Sequence, residues 1–304
     1  TANNITDGHD CISMGMDGEG YLHLSWGMHG DAFHYARSTA PVTGPDPIGF
    51  GPDGPMTGQE KRVTYPQFIT LPDGDLLYLF RKGASGDGDV FLNRYRLATH
   101  SWHHVHYQGA TQLPFIKGTG WTPNYSAYWQ MPCLDNAGNL YLIWTWRYNA
   151  DSPQGEVGYQ TNHDYAYARS PDAGLTWQRS NGTAYALPIS ELGENGDPNT
   201  QAEKILTIPE GSSLMNQSGM CLDAAGHVAA PGRRRYDGEL SRHPPALTHG
   251  AEVVQEAVGD RLDQLPAVLR AVARVGAVIA VDVDQRAGVV HQQRDGCHHP
   301  SRRG

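Results

Sequence analysis

Four short segments of this chain repeat one pattern, and that repetition restricts the fold more than any other feature. In each, an apolar strand runs into a turn carrying Asp and Gly, and an aromatic-rich strand follows at once. The turns are Asp17-Gly18-Glu19-Gly20, Pro72-Asp73-Gly74, Asp135-Asn136-Ala137-Gly138 and Asp223-Ala224-Ala225-Gly226. Residues 21–26 and 139–144 show the alternation of apolar and other side chains that a half-buried strand requires. Glycine reaches positive φ without a steric penalty, which is what tight hairpins demand. The spacing of roughly 55 to 90 residues per unit suits four-stranded antiparallel sheets with variable outer loops, as in propeller blades. The expected fold is all-β, a β-propeller of about four blades; a sandwich with long loops is the competing layout.

One further segment sharpens this expectation. Ser170-Pro-Asp-Ala-Gly-Leu-Thr-Trp177 fits S-x-D-x-G-x-T-W, the Asp-box hairpin, in which Asp and Ser/Thr side chains bind the turn backbone and the Trp packs between strands. Its role is structural, so it bears on the fold and leaves the chemistry open.

The pattern stops near Gly232. Of seven Trp, fifteen Tyr and six Phe, only Tyr236 lies beyond that point, where Arg is frequent and Lys absent. The division expected is therefore a partial propeller over residues 1–232 and an atypical Ala/Val/Arg-rich tail over residues 233–304. The tail reads as one helix over 251–275 and two apolar stretches over 277–283 and 288–290. So abrupt a change is expected of a non-native continuation, such as a shifted reading frame. The chain opens on Thr1 with no basic or apolar leader, which suggests that it starts within a longer protein. An open ring would expose sheet edges, so the chain as written is expected to be unstable or inactive.

The formal net charge of -9 argues against nucleic acid as a partner. The apolar run over residues 276–281 falls far short of the roughly 20 residues a membrane helix needs, so no membrane partner is expected. Cys11, Cys133, Cys221 and Cys297 are widely spaced and form no CxxC, which supports neither a zinc ribbon nor a disulfide framework. No cofactor is expected. A structural calcium or zinc ion stays unassigned, because no ligand cluster of EF-hand type is present.

Hairpin geometry gathers a set of titratable residues. His9 precedes the strand that enters the Asp17 turn and His29 follows the strand that leaves it, so antiparallel pairing brings both to the open end of one hairpin. The same logic around the Pro72–Gly74 turn brings Tyr65 and Arg81 together. The run from Gly83 to Gly88 allows close approach of backbone to a ligand, but it lacks the Lys and the strand-to-helix context of a phosphate loop. His, Tyr and Arg together suit proton abstraction beside a carboxylate, with Arg binding the carboxylate in bidentate fashion and His or Tyr moving protons.

These residues resemble the BNR-4 seven-bladed propellers that include the ulvan lyases. The resemblance runs from about Asp7 to Asp223. It rests on Asp7-Gly-His-Asp10, Tyr21-Leu-His-Leu-Ser25, His34-Tyr-Ala-Arg-Ser38, Val63-Thr-Tyr-Pro-Gln-Phe68 and Phe80-Arg-Lys-Gly-Ala-Ser-Gly-Asp-Gly-Asp89. Trp144-Thr-Trp-Arg147, Asn162-His-Asp164 and Asn216-Gln-Ser218 continue it. The resemblance implies a secreted or periplasmic, monomeric polysaccharide lyase that cleaves an acidic, rhamnose–uronate polysaccharide by β-elimination. His9, His29, Tyr65 and Arg81 would be its catalytic set, with Arg81 on the uronate carboxylate, His9 and Tyr65 as base and acid in either order, and His29 in support. Tyr128, Asn162 and His163 would contact sugar. Two other functions remain open. A sialidase-type glycoside hydrolase would need paired carboxylates, for which Asp7, Asp10, Asp31, Asp87 and Asp89 are candidates, or an arginine triad with a Tyr nucleophile. A non-catalytic carbohydrate-binding propeller would tolerate loss of His9 and Tyr65.

Overall fold

A computed structural model describes residue 7 and residues 9–42, 44–45, 48–149, 158–217, 219–223 and 228–229. The tail over 233–304, with its expected helix and two apolar stretches, lies outside the described residues, as does most of the fourth turn.

The described chain is all-β and its sheets follow one another along the sequence. β1 (Ile12–Met16), β2 (Leu22–Trp26) and β4 (Tyr35–Arg37) form the first blade, while β3 (His29–Asp31) leaves it and pairs with the next. That second blade runs β3, β5 (Val63–Thr70), β6 (Leu76–Ala84), β7 (Asp87–Arg96) and β8 (Ser101–His104) in spatial order. A ribbon of β9 (Tyr107–Gln108) and β10 (Thr111–Gln112) leads to the third blade. There β11 (Tyr125–Trp129) and β12 (Cys133–Leu134) both pair with β13 (Leu140–Tyr148), followed by β14 (His163–Ser170) and β15 (Glu203–Leu206). β16 (Cys221–Leu222) and β17 (Val228–Ala229) begin a fourth. Every named pairing is antiparallel, and each blade meanders outward from its first strand. This is the layout of a propeller, incomplete in the described residues.

Alternation of side chains along the middle strands explains the stack. In β6, Leu77 and Leu79 join a cluster with Trp129, Leu142, Trp144 and Trp177 of the third blade, whereas Tyr78 and Phe80 face Met28, Phe33 and Trp102 on the other side. In β13, Leu142 and Trp144 point back toward the second blade, while Tyr141 and Ile143 pack with Met220 and Val228 of the fourth. These strands are therefore buried on both faces and read as continuous apolar runs.

The repeated turns close as their sequences require. Asp17 accepts hydrogen bonds from the backbone of Glu19 and Tyr21, and Asp135 does the same for Ala137 and Asn139. Gly20, Gly74 and Gly138 have φ of 85°, 84° and 82°. Successive turns also touch: Gly18 donates to the Gly74 carbonyl at 2.9 Å, and a Cβ on either glycine would sit 2.8 Å from the other's Cα. In the segment Ser170–Trp177, Asp172 accepts from the Thr176 backbone and hydroxyl, Gly174 donates to Ser170 Oγ, and Trp177 stacks on Phe115 at 4.8 Å.

Candidate active site

The start of each first strand, the end of each second and the start of each third share one end of a blade, and the candidate residues gather there. The β1–β2 register pairs Ile12 with Trp26, and its continuation sets residue 9 opposite residue 29. The His9 and His29 rings stack at 4.3 Å, 18° from parallel. Asp7 spans them, with Oδ1 2.8 Å from His9 Nδ1 and Oδ2 2.8 Å from His29 Nδ1. An ionised carboxylate only accepts, so both Nδ1 atoms carry the proton in these bonds and both Nε2 atoms keep a lone pair when the rings are neutral. The His9 backbone N–H, followed by the two imidazoles, holds the Asp7 carboxyl well below the usual carboxylate range. Donor atoms of Asp7, His9 and His29 lie within 4.8 Å of one another, the grouping among the described residues able to hold a metal ion.

Tyr65 adjoins this pair, its ring 6.5 Å from His9 and 6.3 Å from His29. It sits in a bulge of β5, where the pairing with β6 shifts between Thr64 and Gln67, and it has φ of 55°. A bulky residue in the left-handed region is strained, and such strain concentrates at functional sites. The same register sets Arg81 opposite Thr64, one residue from Tyr65. Arg81 is 1% exposed, its Cζ 5.0 Å from the Tyr65 ring and 5.0 Å from that of Tyr128. Its Nε and Nη1 have no hydrogen-bond partner among the described residues.

The third blade supplies the far wall. Tyr128 on β11 is buried, and its hydroxyl lies 3.0 Å from Ser85 Oγ and 3.3 Å from Arg147 Nη1. Arg147, at the end of β13, donates from Nε to Asn162 Oδ1 at 2.7 Å, from Nη1 to Ser85 and from Nη2 to Asn216. Asn162 in turn donates to the Leu214 carbonyl and to Asn216. It thus fixes Arg147 from behind. His163 is engaged elsewhere: its nitrogens bind the Thr161 carbonyl and Glu191, and its ring stacks on Tyr148. The glycines of the β6–β7 tip serve packing: a Cβ on Gly86 would lie 2.2 Å from the Tyr148 carbonyl oxygen, so the close approach is to a neighbouring blade and carries Ser85 into the site.

The two tyrosines are pushed apart. Burial, with Tyr128 adding to it, raises Tyr65 above the ordinary 10.0 against the pull of Arg81 and Arg147. Burial also opposes ionisation of Tyr128, but Arg81 and Arg147, with hydrogen bonds from Ser85 and Arg81, outweigh it and bring Tyr128 below 10.0. From the sequence, Asp7 stands out only as a candidate hydrolase carboxylate, and Ser85, Arg147 and Asn216 carry no assigned role. All four sit within motifs that carry the resemblance, Ser85 in the run from Phe80 to Asp89, but the contacts of Ser85 with Tyr128 and Arg147 form only across the seam between blades.

The pattern of BNR repeat-containing family members matches residues 1–246. The chain belongs to that family. A long isoform of ulvan lyase from Alteromonas sp. (strain LOR) is 31% identical over 133 residues, 43% of this chain and 12% of that protein. A solved polysaccharide lyase of family PL25, an ulvan lyase, superposes with a TM-score of 0.55 at 18% identity, over 73% of this chain and 50% of that one. A second structure of such a lyase, bound to -[GlcA(1-4)Rha3S]-, superposes at 0.54 and 17%, over 73% and 50%. These likenesses show the propeller fold. The chain spans 12% of the length of that relative and half of the solved lyases. Among the described residues no helix is long and apolar enough to cross a membrane.

Proposed function

We propose that this chain carries the catalytic blades of a secreted or periplasmic polysaccharide lyase that cleaves a uronic-acid-containing polysaccharide, ulvan-like in alternating rhamnose and uronate, by β-elimination. The observation that carries this reading is a buried guanidinium, Arg81, with two nitrogens free of internal bonds, set between two tyrosines beside a histidine pair. The C5 proton of a uronate is too weakly acidic to remove while the carboxylate keeps its full charge. Arg81, reinforced by Arg147, neutralises that carboxylate and holds the charge that develops on it.

Asp7 prepares the base. By holding each Nδ1–H it presents the Nε2 lone pairs of His9 and His29, and the more exposed His9 takes the C5 proton while His29 supports it. Tyr65, kept protonated by burial, gives its proton to the O4 leaving group. The C5–H and C4–O4 bonds break, the C4–C5 double bond forms, and the proton lost from C5 is matched by the one delivered to O4. Tyr128 lines the pocket, and Asn162 acts through Arg147. Relatives named as ulvan lyases, one solved with a glucuronate–rhamnose sulfate repeat, support this choice of substrate. Two of the carboxylates named for a hydrolase are engaged in holding loops: Asp89 accepts from Gly118 and Thr119, and Asp87 accepts from Asn124.

The test follows the ultraviolet absorbance of the unsaturated uronate with ulvan as substrate. With these blades carried in a closed ring, the wild-type protein is expected to produce it, and Arg81→Ala to lower kcat/KM by about 10² to 10³-fold or more. Reducing ends released without that absorbance would overturn elimination in favour of hydrolysis. Binding with neither would leave a carbohydrate-binding propeller.

A further inference from the structure

Elimination accounts for Arg81 when substrate is bound, but the free protein holds two buried guanidiniums against the one Tyr128 ring. Arg81 and Arg147 are 1% and 7% exposed, and neither forms an ion pair with a carboxylate among the described residues. Asp7, the carboxylate of the site, is committed to His9 and His29. Burying like charges together without an opposite charge is strongly unfavourable.

Tyr128 occupies the position that a counter-ion would take. Its ring lies 5.0 Å from Arg81 Cζ and 4.6 Å from Arg147 Cζ. The groups that face it come from four places: Arg81 on β6, Ser85 in the β6–β7 tip, Arg147 on β13, and the Tyr65 ring on β5 at 5.7 Å. Two of these are cations, Ser85 can donate, and Tyr65 is a phenol that burial keeps neutral. We propose that Tyr128 is the built-in counter-ion of the Arg81–Arg147 pair: it ionises ahead of the other tyrosines in the free protein and takes up a proton when a uronate carboxylate seats on the two guanidiniums.

The exchange forms one O–H bond, its proton comes from solvent, and no electrons are transferred. Its consequence is that, above the pH at which Tyr128 ionises, the site keeps one negative charge in either state, the phenolate before substrate arrives and the uronate carboxylate after. A phenolate at Tyr128 also discourages ionisation of Tyr65, preserving the proton that the leaving group needs. The identity of the displacing anion rests on the lyase reading; the early ionisation of Tyr128 does not.

A pH titration of the full chain, read by the near-ultraviolet absorbance of phenolate, tests this. One tyrosine equivalent is expected to ionise ahead of the rest, to vanish in Tyr128→Phe and to shift upward in Arg147→Gln, which serves should Tyr128→Phe fail to fold. Excess glucuronate is expected to push that step to higher pH. One late transition shared by wild type and Arg147→Gln would overturn the proposal, and normal lyase activity in the same sample would leave the elimination reading intact. An early step indifferent to glucuronate would overturn the exchange, and if no unsaturated product forms either, the lyase reading falls with it.

Discussion

Asp7 shows how one short side chain sets the chemistry of two others. A single carboxylate grips two stacked imidazoles through their Nδ1 atoms, so its loss frees both rings to turn and to change tautomer. Asp7→Asn is therefore expected to lower kcat by about 10²-fold, with KM nearly unchanged, in steady-state assays. His23 behaves differently. Its Nε2–H is given to Asp17 and its Nδ1 accepts from Tyr35, with Arg37 also on Asp17, and burial holds its pKa down to about 4 from the ordinary 6.5. Between those values the unfolded chain binds a proton that the folded chain refuses, so stability rises with pH there. The contribution of neutral His23 is whole above about 6.5 and is lost as pH falls toward about 4. Melting temperatures measured down that range should decline, and His23→Gln should start lower yet decline less. Residues joined by one hairpin, such as His9 with His29 and Tyr65 with Arg81, could be placed together from the sequence because antiparallel register is simple arithmetic about a turn. Arg147 and Ser85 could not be placed with them, since the bonds that put them in the pocket cross from one sheet to another. Asn162, just before β14, and His163, at its start, are adjacent in sequence but face different partners, and those partners lie on distant segments that the sequence does not reveal.

At the scale of elements, the repeated turn was legible because Asp and Gly each have one task there, binding backbone N–H groups and reaching positive φ. What the repeat did not reveal is that turns of neighbouring blades touch. Gly74 combines φ of 84° with a position where a Cβ would meet Gly18 Cα at 2.8 Å. Gly74→Ala should cost about 2–4 kcal/mol, from left-handed strain and from prying the turns apart, as seen in chemical denaturation. Gly86→Ala should act on function more than on stability. It would force the β6–β7 tip off the Tyr148 backbone, take Ser85 away from Tyr128 and Arg147, and lower activity by about 10-fold or more in the same assay, on the rule that small misplacements are costly.

Across the whole described molecule, three apolar seams hold successive blades together, and the pocket lies over two of them. The bonds that complete it span long stretches of chain: Ser85 to Tyr128 over 43 residues, Ser85 to Arg147 over 62 and Asn216 to Arg147 over 69. No blade owns the site. In a graded denaturant series, the proposed turnover is expected to fail before the β-sheet signal of circular dichroism does, because sliding one seam separates the arginines from the histidines while leaving each sheet paired. Coincident loss of both signals would count against this. The same geometry gives the chain an assembly checkpoint. A partly made or misregistered stack can hold several well-formed sheets and still be chemically silent, so turnover reports that the parts have been joined in order.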